Sequence, residues 1–487
     1  MKMSKSANEQ ISKSANRRVD ELMNLRMDGF TNGRMREGAD VDGNGVVAEF
    51  VVGADWDGLP AAVQREARMA LLDTLGATLA GTRTPISRIT AGYAAETWPG
   101  DEATILLHGQ RASAVGAAFA NGYAANGIDI DDCGLYTKGH PGAQLFPTAL
   151  AVAESRELGG AAVLTGLIVG YEVAHRAARI WHATHEVYQA CGAWGSVACA
   201  AVAAHLMGLS VNETGQALGI AEYHAPNLPM MRDIDHPAMV KHGIGWGAMN
   251  GIVSAQLASR EFTGIPSLFG FAAYRDWVAD IGQNYIVEEG LARKGYACCA
   301  WVHAALKAAE LLLEAHDLRV DDVAHIRVET FHEAFCLGAK LPTTTEEAQF
   351  NVAWPLAALL VDGEVGPEQM LEHAFGDPRL RALAERIEVV ETEELNELYR
   401  LATHADPRGK YASRVTIELR DGRVLDSGMV EGEINYPQRC WDEAGLGRKF
   451  RWLAAHVLDA TRADAVIDMV WHLEDIPNVR ELTQLLA

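Results

Sequence analysis

The sequence predicts a mainly α protein, with a large all-α helical domain and a smaller α+β domain inserted before its last helices. Three observations carry this. Apolar residues recur at three- and four-residue spacing from Leu59 to about residue 270; short β-branched runs appear beyond about 290; and a helical pattern returns near the end. A chain of 487 residues also exceeds the size at which a single core stops growing, so two domains are expected.

In the first part, "PAAVQREARMALLDTLGATLAG", "AAVLTGLIVGYEVAHRAARIW", "GSVACAAVAAHLMGL" and "AMNGIVSAQLASREF" read as helices whose Ala and Gly faces permit close packing. Ser210 followed by Glu213 matches a capping box and predicts a helix start. After the helix "AWVHAALKAAELLLEAHDL", the runs "AHIRVETF", "ERIEVVET" and "SRVTIELRDGRVLDSGMVEG" read as strands, the last a hairpin turning at Asp421-Gly422. "DPRLRALAERI" and "PEQMLEHAFG" read as helices between them. The closing "GLGRKFRWLAAHVL" and "ADAVIDMVWHLEDIP" are helical and are expected to rejoin the first domain. The boundaries so read are a polar N-terminal extension over 1–45, a helical domain over 46–289, an α+β domain over 290–433 and C-terminal helices over 434–487.

With 49% hydrophobic and 22% charged residues, the chain reads as a soluble globular protein, and no apolar run is long enough to span a membrane. The N-terminal stretch lacks the apolar centre of a secretory signal. The net charge of −23 argues against nucleic acid or an anionic membrane as partner. An anionic substrate would need a locally basic pocket, which singles out lysines inside apolar segments. Seven cysteines without CxxC spacing argue against zinc ribbons and clusters and for a reduced, cytoplasmic setting, most of the thiols being small core residues.

One polar island interrupts the helices. "DIDDCGLYTKGHPGAQLFP" places Asp129, Asp131, Asp132 and His140 among Gly134, Gly139, Pro141 and Gly142. Histidine beside a carboxylate suits acid/base work near neutral pH. On the residues alone the simpler reading is preferred, in which Asp132 caps a turn and His140 fills a loop; three aspartates and a histidine could also hold a hard metal, but nothing else completes that set. Lys241 and His242 precede a run of small residues opening a helix, an arrangement suited to a carboxylate. Gly243 to Ala248 fits G-x-G-x-x-A without a preceding strand, so a dinucleotide site is not expected. His182 and His185 have HxxH spacing without a following glutamate. Lys294 opens the second domain, where a domain seam would bring it opposite the aspartate loop.

Taken in order, "GYAANGIDIDDCGLYTKGHPGAQLFPTALAVAE", "AAHLMGLSVNETGQALGIA", "NGIVSAQLASREFTGIPSLF", "KGYACCAWVHAALKA" and "EEAQFNVAWPLAALLVDGEV" resemble the MmgE/PrpD family of 2-methylcitrate dehydratase, cis-aconitate decarboxylase and iminodisuccinate epimerase. The resemblance implies a large all-α helical domain closed by an inserted smaller α+β lid domain, usually as a homodimer. It implies a cofactor-independent lyase acting on a small di- or tricarboxylic acid, with an isomerase or epimerase, or a non-catalytic metabolite-binding member, as alternatives. Asp129 and His140 match the loop's aspartate and catalytic histidine, Lys241 the lysine before the small-residue helix, and Lys294 the lid lysine. Cys133 stands where a threonine is common, Gln189 where a histidine is usual, Cys299 where a lid histidine occurs, and Trp354 where a tyrosine is usual. His140, Asp129 and Lys241 are thus the expected catalytic residues; Lys294, Cys133, Gln189, Cys299 and Trp354 are expected to line the substrate, with no metal and no cofactor.

Overall fold

The computed structural model describes residues 42–403, 406–432 and 441–487. Most of the N-terminal extension and the boundary expected near 433 lie outside them. A helix over Gly43–Gly53 begins slightly before the boundary read at 46 and buries Val47 and Val51.

The protein is mainly helical, as the periodicity predicts. Around the site run α1 (Ala114–Ala125), α2 (Gly142–Ser155), α3 (Gly160–Thr184), α4 (Cys191–Met207) and α5 (Ile244–Ala258). Their small residues set the packing distance: a Cβ on Gly251 of α5 would collide with Cys199 of α4, and one on Gly192 with the Gly243 carbonyl. The capping box at Ser210–Glu213 is present with both of its hydrogen bonds, opening the helix Val211–Tyr223. Among the described residues no helix is long and apolar enough to cross a membrane.

Two hydrophobic cores form. The first draws on residues between Val47 and Leu291 and again between Leu446 and Leu486; the second draws mainly on Tyr296 to Leu425. Return of the chain to the first core is fixed by α6 (Glu443–Ala454), whose buried Lys449 Nζ donates to Asp73 Oδ1 at 2.6 Å and to the Ile130 carbonyl at 3.1 Å. The strands are short. β1 (Ala103–Ile105) and β2 (Gln110–Ala112) form one pair, and β3 (Cys133–Gly134) and β4 (Leu291–Ala292) another. A four-stranded sheet of order β6-β5-β7-β8 comprises β5 (Val323–Thr330), β6 (Ile387–Glu391), β7 (Ala412–Leu419) and β8 (Val424–Glu431). β5 pairs in parallel with β6 and antiparallel with β7, and β7–β8 is the hairpin predicted from Asp421-Gly422, with Gly422 at φ +89°. Alternation along β5 buries Val323, Ile326, Val328 and Thr330.

Candidate active site

Residues 126–134, between α1 and α2, are all buried, so their polar groups need internal partners. Asn126 Nδ2 donates to Asp131 Oδ1 at 2.7 Å, the Gly142 N–H to Asp132 Oδ1 at 2.9 Å, and the Tyr171 hydroxyl to Asp132 Oδ2 at 2.5 Å. Asp132 therefore does what the simpler reading expected of it: it holds the start of α2. Burial, and next the Asp131 charge, push its carboxyl up to about 7. Ile128 and Ile130 are anchored in the second core, and Asp129 between them takes a left-handed φ of +55°. That conformation is unusual without glycine and aims the carboxylate into the seam between the two cores.

The ribbon β3–β4 brings the opposite wall. Cys133 pairs with Ala292 and Gly134 with Leu291, and two residues past β4 Lys294 Nζ donates to Asp129 Oδ1 at 2.5 Å. Both groups are almost wholly buried. Burial alone would raise the Asp129 carboxyl, but Lys294, then Lys241 and His140, outweigh it and hold it well below the usual carboxylate range. Lys294 is raised in return: burial opposes its charge, and Asp129 outweighs burial.

His140 completes this group. Its Nδ1 lies 3.1 Å from the Asp132 carbonyl and 3.0 Å from Asp131 Oδ2, and its Nε2 lies 3.4 Å from Asp129 Oδ1. A carbonyl can only accept, so Nδ1 carries a proton and Nε2 is the working nitrogen. The N–H is directed at the carbonyl, which leaves the Asp131 Oδ2 contact electrostatic and not hydrogen-bonded. Burial lowers the imidazole's basicity, but Asp131, then Cys133 and Asp129, raise its pKa well above the ordinary value. The His140 backbone N–H donates to Cys191 Sγ at 3.2 Å, and Cys133 Sγ lies 3.9 Å from Nδ1. A Cβ on Gly139 would press on Cys191 Sγ at 2.5 Å, so the close approach of loop to α4 requires glycine there.

Lys241, His242 and Gly243 all adopt left-handed backbone, at φ +37°, +56° and +65°, immediately before α5. Gly243 takes this conformation freely, but at Lys241 and His242 it is costly and persists only where the surroundings impose it. Lys241 Nζ donates to Gln349 Oε1 at 2.8 Å and sits 4.9 Å above the Phe350 ring. His242 stacks on His140 with ring centroids 5.4 Å apart and planes 8° apart, and its Nδ1 is 2.8 Å from Asp233 Oδ2.

Five of the eight expected residues thus converge: Asp129, His140, Lys294 and Cys133 directly, and Lys241 through the stacked His242. Cys299 is held nearby, its backbone N–H donating to the Gln349 carbonyl at 3.0 Å, and burial pushes its thiol up to about 12. Gln189 is used structurally, its Oε1 accepting the Leu228 N–H at 2.6 Å beside the Gln189–Pro229 bridge. Trp354 is built into the second core, with Nε1 donating to the Gln369 carbonyl at 2.9 Å and its ring edge-on to Phe375. His182 and His185 instead line a separate open cavity of about 450 Å³ with Lys138, Tyr188, His332 and Tyr399. Burial drags His182 down to about 4, and its Nε2–H donates to the Thr137 carbonyl at 3.0 Å. Sequence reasoning did not assign roles to Asp131, His242, Asp233, Gln349 and Phe350. His242 was visible beside Lys241; Gln349 had no local signal.

One ligand atom each from Asp129, Asp131 and His140 lie within 4.8 Å of one another, a spacing that could also chelate a hard cation. The Lys294 ammonium already competes for the Asp129 oxygen. A buried imidazole held by a backbone carbonyl and flanked by carboxylates, with two buried lysines in the same group, has the residue types that proton transfer on an anion requires.

The MmgE/PrpD N-terminal domain model matches residues 46–273 and the MmgE/PrpD C-terminal domain model matches residues 296–475. The chain belongs to the MmgE/PrpD family. It is 25% identical over 478 residues to cis-aconitate decarboxylase of Aspergillus terreus, covering 88% of this chain and 93% of that protein. It is 26% identical over 456 residues to human cis-aconitate decarboxylase, covering 87% and 90%. It is 26% identical over 406 residues to mitochondrial 2-methylcitrate dehydratase of Yarrowia lipolytica, covering 76% and 75%.

Proposed function

We propose that the protein is a lyase that removes CO2 or water from a small di- or tricarboxylic acid by proton transfer next to a carboxylate, without a cofactor. The observation that carries this is His140: Nδ1–H held by the Asp132 carbonyl, Nε2 facing Asp129 Oδ1, and a charge favoured by Asp131. For decarboxylation a protonated ring gives its proton to the carbanion left when CO2 departs; for dehydration a neutral Nε2 takes the proton next to the carboxylate and delivers it to the departing hydroxyl, so that water leaves. Once the ring has given up that proton, Nε2 is the base for the reverse transfer. Lys241 and Lys294 stabilise the charge that builds on the substrate carboxylate. The names of the relatives, decarboxylases and dehydratases, support the same class.

Incubating the protein with citrate, 2-methylcitrate, cis-aconitate and aminated succinates, with product masses read out, tests the reading. Loss of CO2 or water supports it. Solvent deuterium entering a substrate without loss of mass would make the protein an isomerase or epimerase, and no turnover of any of them would overturn enzymatic action on this class.

The charge state predicts a pH signature. His140's folded pKa lies above its ordinary 6.5, so its stabilising contribution is complete below 6.5 and is lost as pH rises through the folded value. Asp129 and Asp131 are held below their ordinary 3.8, so theirs is present above 3.8 and lost only as pH falls further. Thermal stability is therefore expected to decline on the alkaline side. Tm measured from pH 6 to 10 should show that limb in the wild type and a flatter one in His140→Gln; equal slopes would refute the charged ring.

The reading takes residues 290–433 as a lid over the helical part, supported by the second core and by Lys294 and Gln349 reaching across from it. Homodimer formation is supported by an exposed aromatic face, where Tyr93 and Trp246 flank Phe119 with centroids 6.3 and 5.4 Å away; a sedimentation mass of one chain would contradict it. The six described cysteines are all thiols, which supports a reducing compartment such as the cytoplasm.

A further inference from the structure

The two lysines of the site are compensated differently. Lys294 is matched by a carboxylate, Asp129, in a buried ion pair. Lys241, equally buried, is met by a neutral amide and an aromatic face: Gln349 Oε1 at 2.8 Å and the Phe350 ring at 4.9 Å. Among the described residues no carboxylate comes within 4.0 Å of Lys241 Nζ. The acids that feel its charge from further away are engaged elsewhere or discouraged from ionising: Asp129 by Lys294, Asp233 by His242, and Glu346, whose carboxyl burial pushes up. A buried cation without an adjacent anion is expensive. It is tolerated where a ligand supplies the missing charge.

Gln349 is built to keep that position open. Its Nε2 donates to the Gly127 carbonyl at 3.0 Å, two residues before Asp129, which fixes the amide so that oxygen and not nitrogen faces Lys241. Its own carbonyl accepts the Cys299 N–H at 3.0 Å, tying Lys241, the aspartate loop and the Lys294 segment to one residue of the second core. We infer that Gln349 is a specificity-determining residue, a neutral place-holder that leaves Lys241, unlike Lys294, without a protein carboxylate and so the receptor for one substrate carboxylate. A substrate carboxylate arriving at Lys241 replaces the amide oxygen as acceptor. The neutral amide lets itself be displaced; a glutamate at the same place would not.

This rests on the carboxylate-lyase reading, and its test separates the two. Binding of propane-1,2,3-tricarboxylate, which has no bond placed for elimination, is measured by calorimetry on the full chain for the wild type, Gln349→Glu and Gln349→Met. Gln349→Glu keeps the shape and adds the charge that neutralises Lys241, so affinity should fall about 10- to 100-fold, the loss of one charge-assisted hydrogen bond. Gln349→Met gives up both side-chain hydrogen bonds but leaves Lys241 charged, so its affinity should stay within about threefold of wild type. With a turned-over acid, the Gln349→Glu loss should appear in kcat/KM. A merely structural role predicts the reverse order, with methionine the worse variant, and that order would overturn the inference. Equal affinity of Gln349→Glu and wild type would also overturn it. A wild type that binds no polycarboxylate would instead overturn the underlying reading. Circular dichroism and Tm of both variants show whether a loss of binding reflects a loss of fold.

Discussion

Replacing His140 with glutamine is expected to lower kcat on the turned-over acid by about 10²- to 10⁴-fold, the usual contribution of a positioned general acid or base. Binding should change little. Lys241 and Lys294, the proposed carboxylate receptors, are untouched, and the backbone N–H of residue 140 still reaches Cys191 Sγ. What is lost is a ring nitrogen beside Asp129 Oδ1 that can both give and take a proton. Glutamine occupies similar volume and can keep an N–H directed at the Asp132 carbonyl, but Asp131 loses the charge that faces it, so the Tm of the variant is read alongside its kinetics. Steady-state kinetics with a binding measurement on the same variant checks this. A kcat within tenfold of wild type would remove His140 from the chemistry and shift attention to its stacked neighbour His242 on Asp233.

The helical frame was legible because its signals are local and repeated. Apolar periodicity announces α3 and α4, Ser210 and Glu213 lie three residues apart, and Asp421-Gly422 turns the β7–β8 hairpin. The aspartate loop was legible as a polar island but not as shape. Left-handed backbone falls on Asp129, Lys241 and His242, which are not glycines, so sequence does not announce it there; only Gly243 marks its turn. The β3–β4 ribbon that delivers Lys294 is two residues long, too short for any alternation to show. Gln349 bonds to partners 108 and 222 residues away, and separations of that size leave no trace in a single chain. Trp354, which the family resemblance expects to line the substrate, stands among Ala, Leu and Val of its own helix in the second core, and its N–H ends on the Gln369 carbonyl.

The Asp129–Lys294 pair is expected to carry the largest stability effect in the molecule. Removing one partner of a buried pair leaves an uncompensated charge and costs about 3–5 kcal/mol. The two halves differ. Lys294→Met leaves Asp129 with His140 Nε2 at 3.4 Å from Oδ1, so part of the compensation survives and the cost should fall at the low end of that range. Asp129→Asn leaves an ammonium whose next described acid, Asp131, already faces His140. That lysine can escape by shedding its proton, which costs about 1.4 kcal/mol for each of the 3.5 pH units between its ordinary 10.5 and pH 7, so the penalty is capped near ~5 kcal/mol. Because the strained group is then a lysine with a depressed pKa, the penalty of Asp129→Asn should shrink as pH rises toward 10.5. The double variant Asp129→Asn/Lys294→Met removes both charges and should be more stable than Asp129→Asn alone, with a coupling energy of ~2 kcal/mol or more between the sites. Chemical denaturation of the four proteins at pH 7 and pH 9 measures all of this. Additive single effects, or an Asp129→Asn penalty that does not change with pH, would mean that the pair is not an ion pair in solution. Turnover separates position from charge: the double variant, though recovered in stability, should remain inactive, because the acid facing His140 Nε2 and one of the two carboxylate-stabilising cations are both gone.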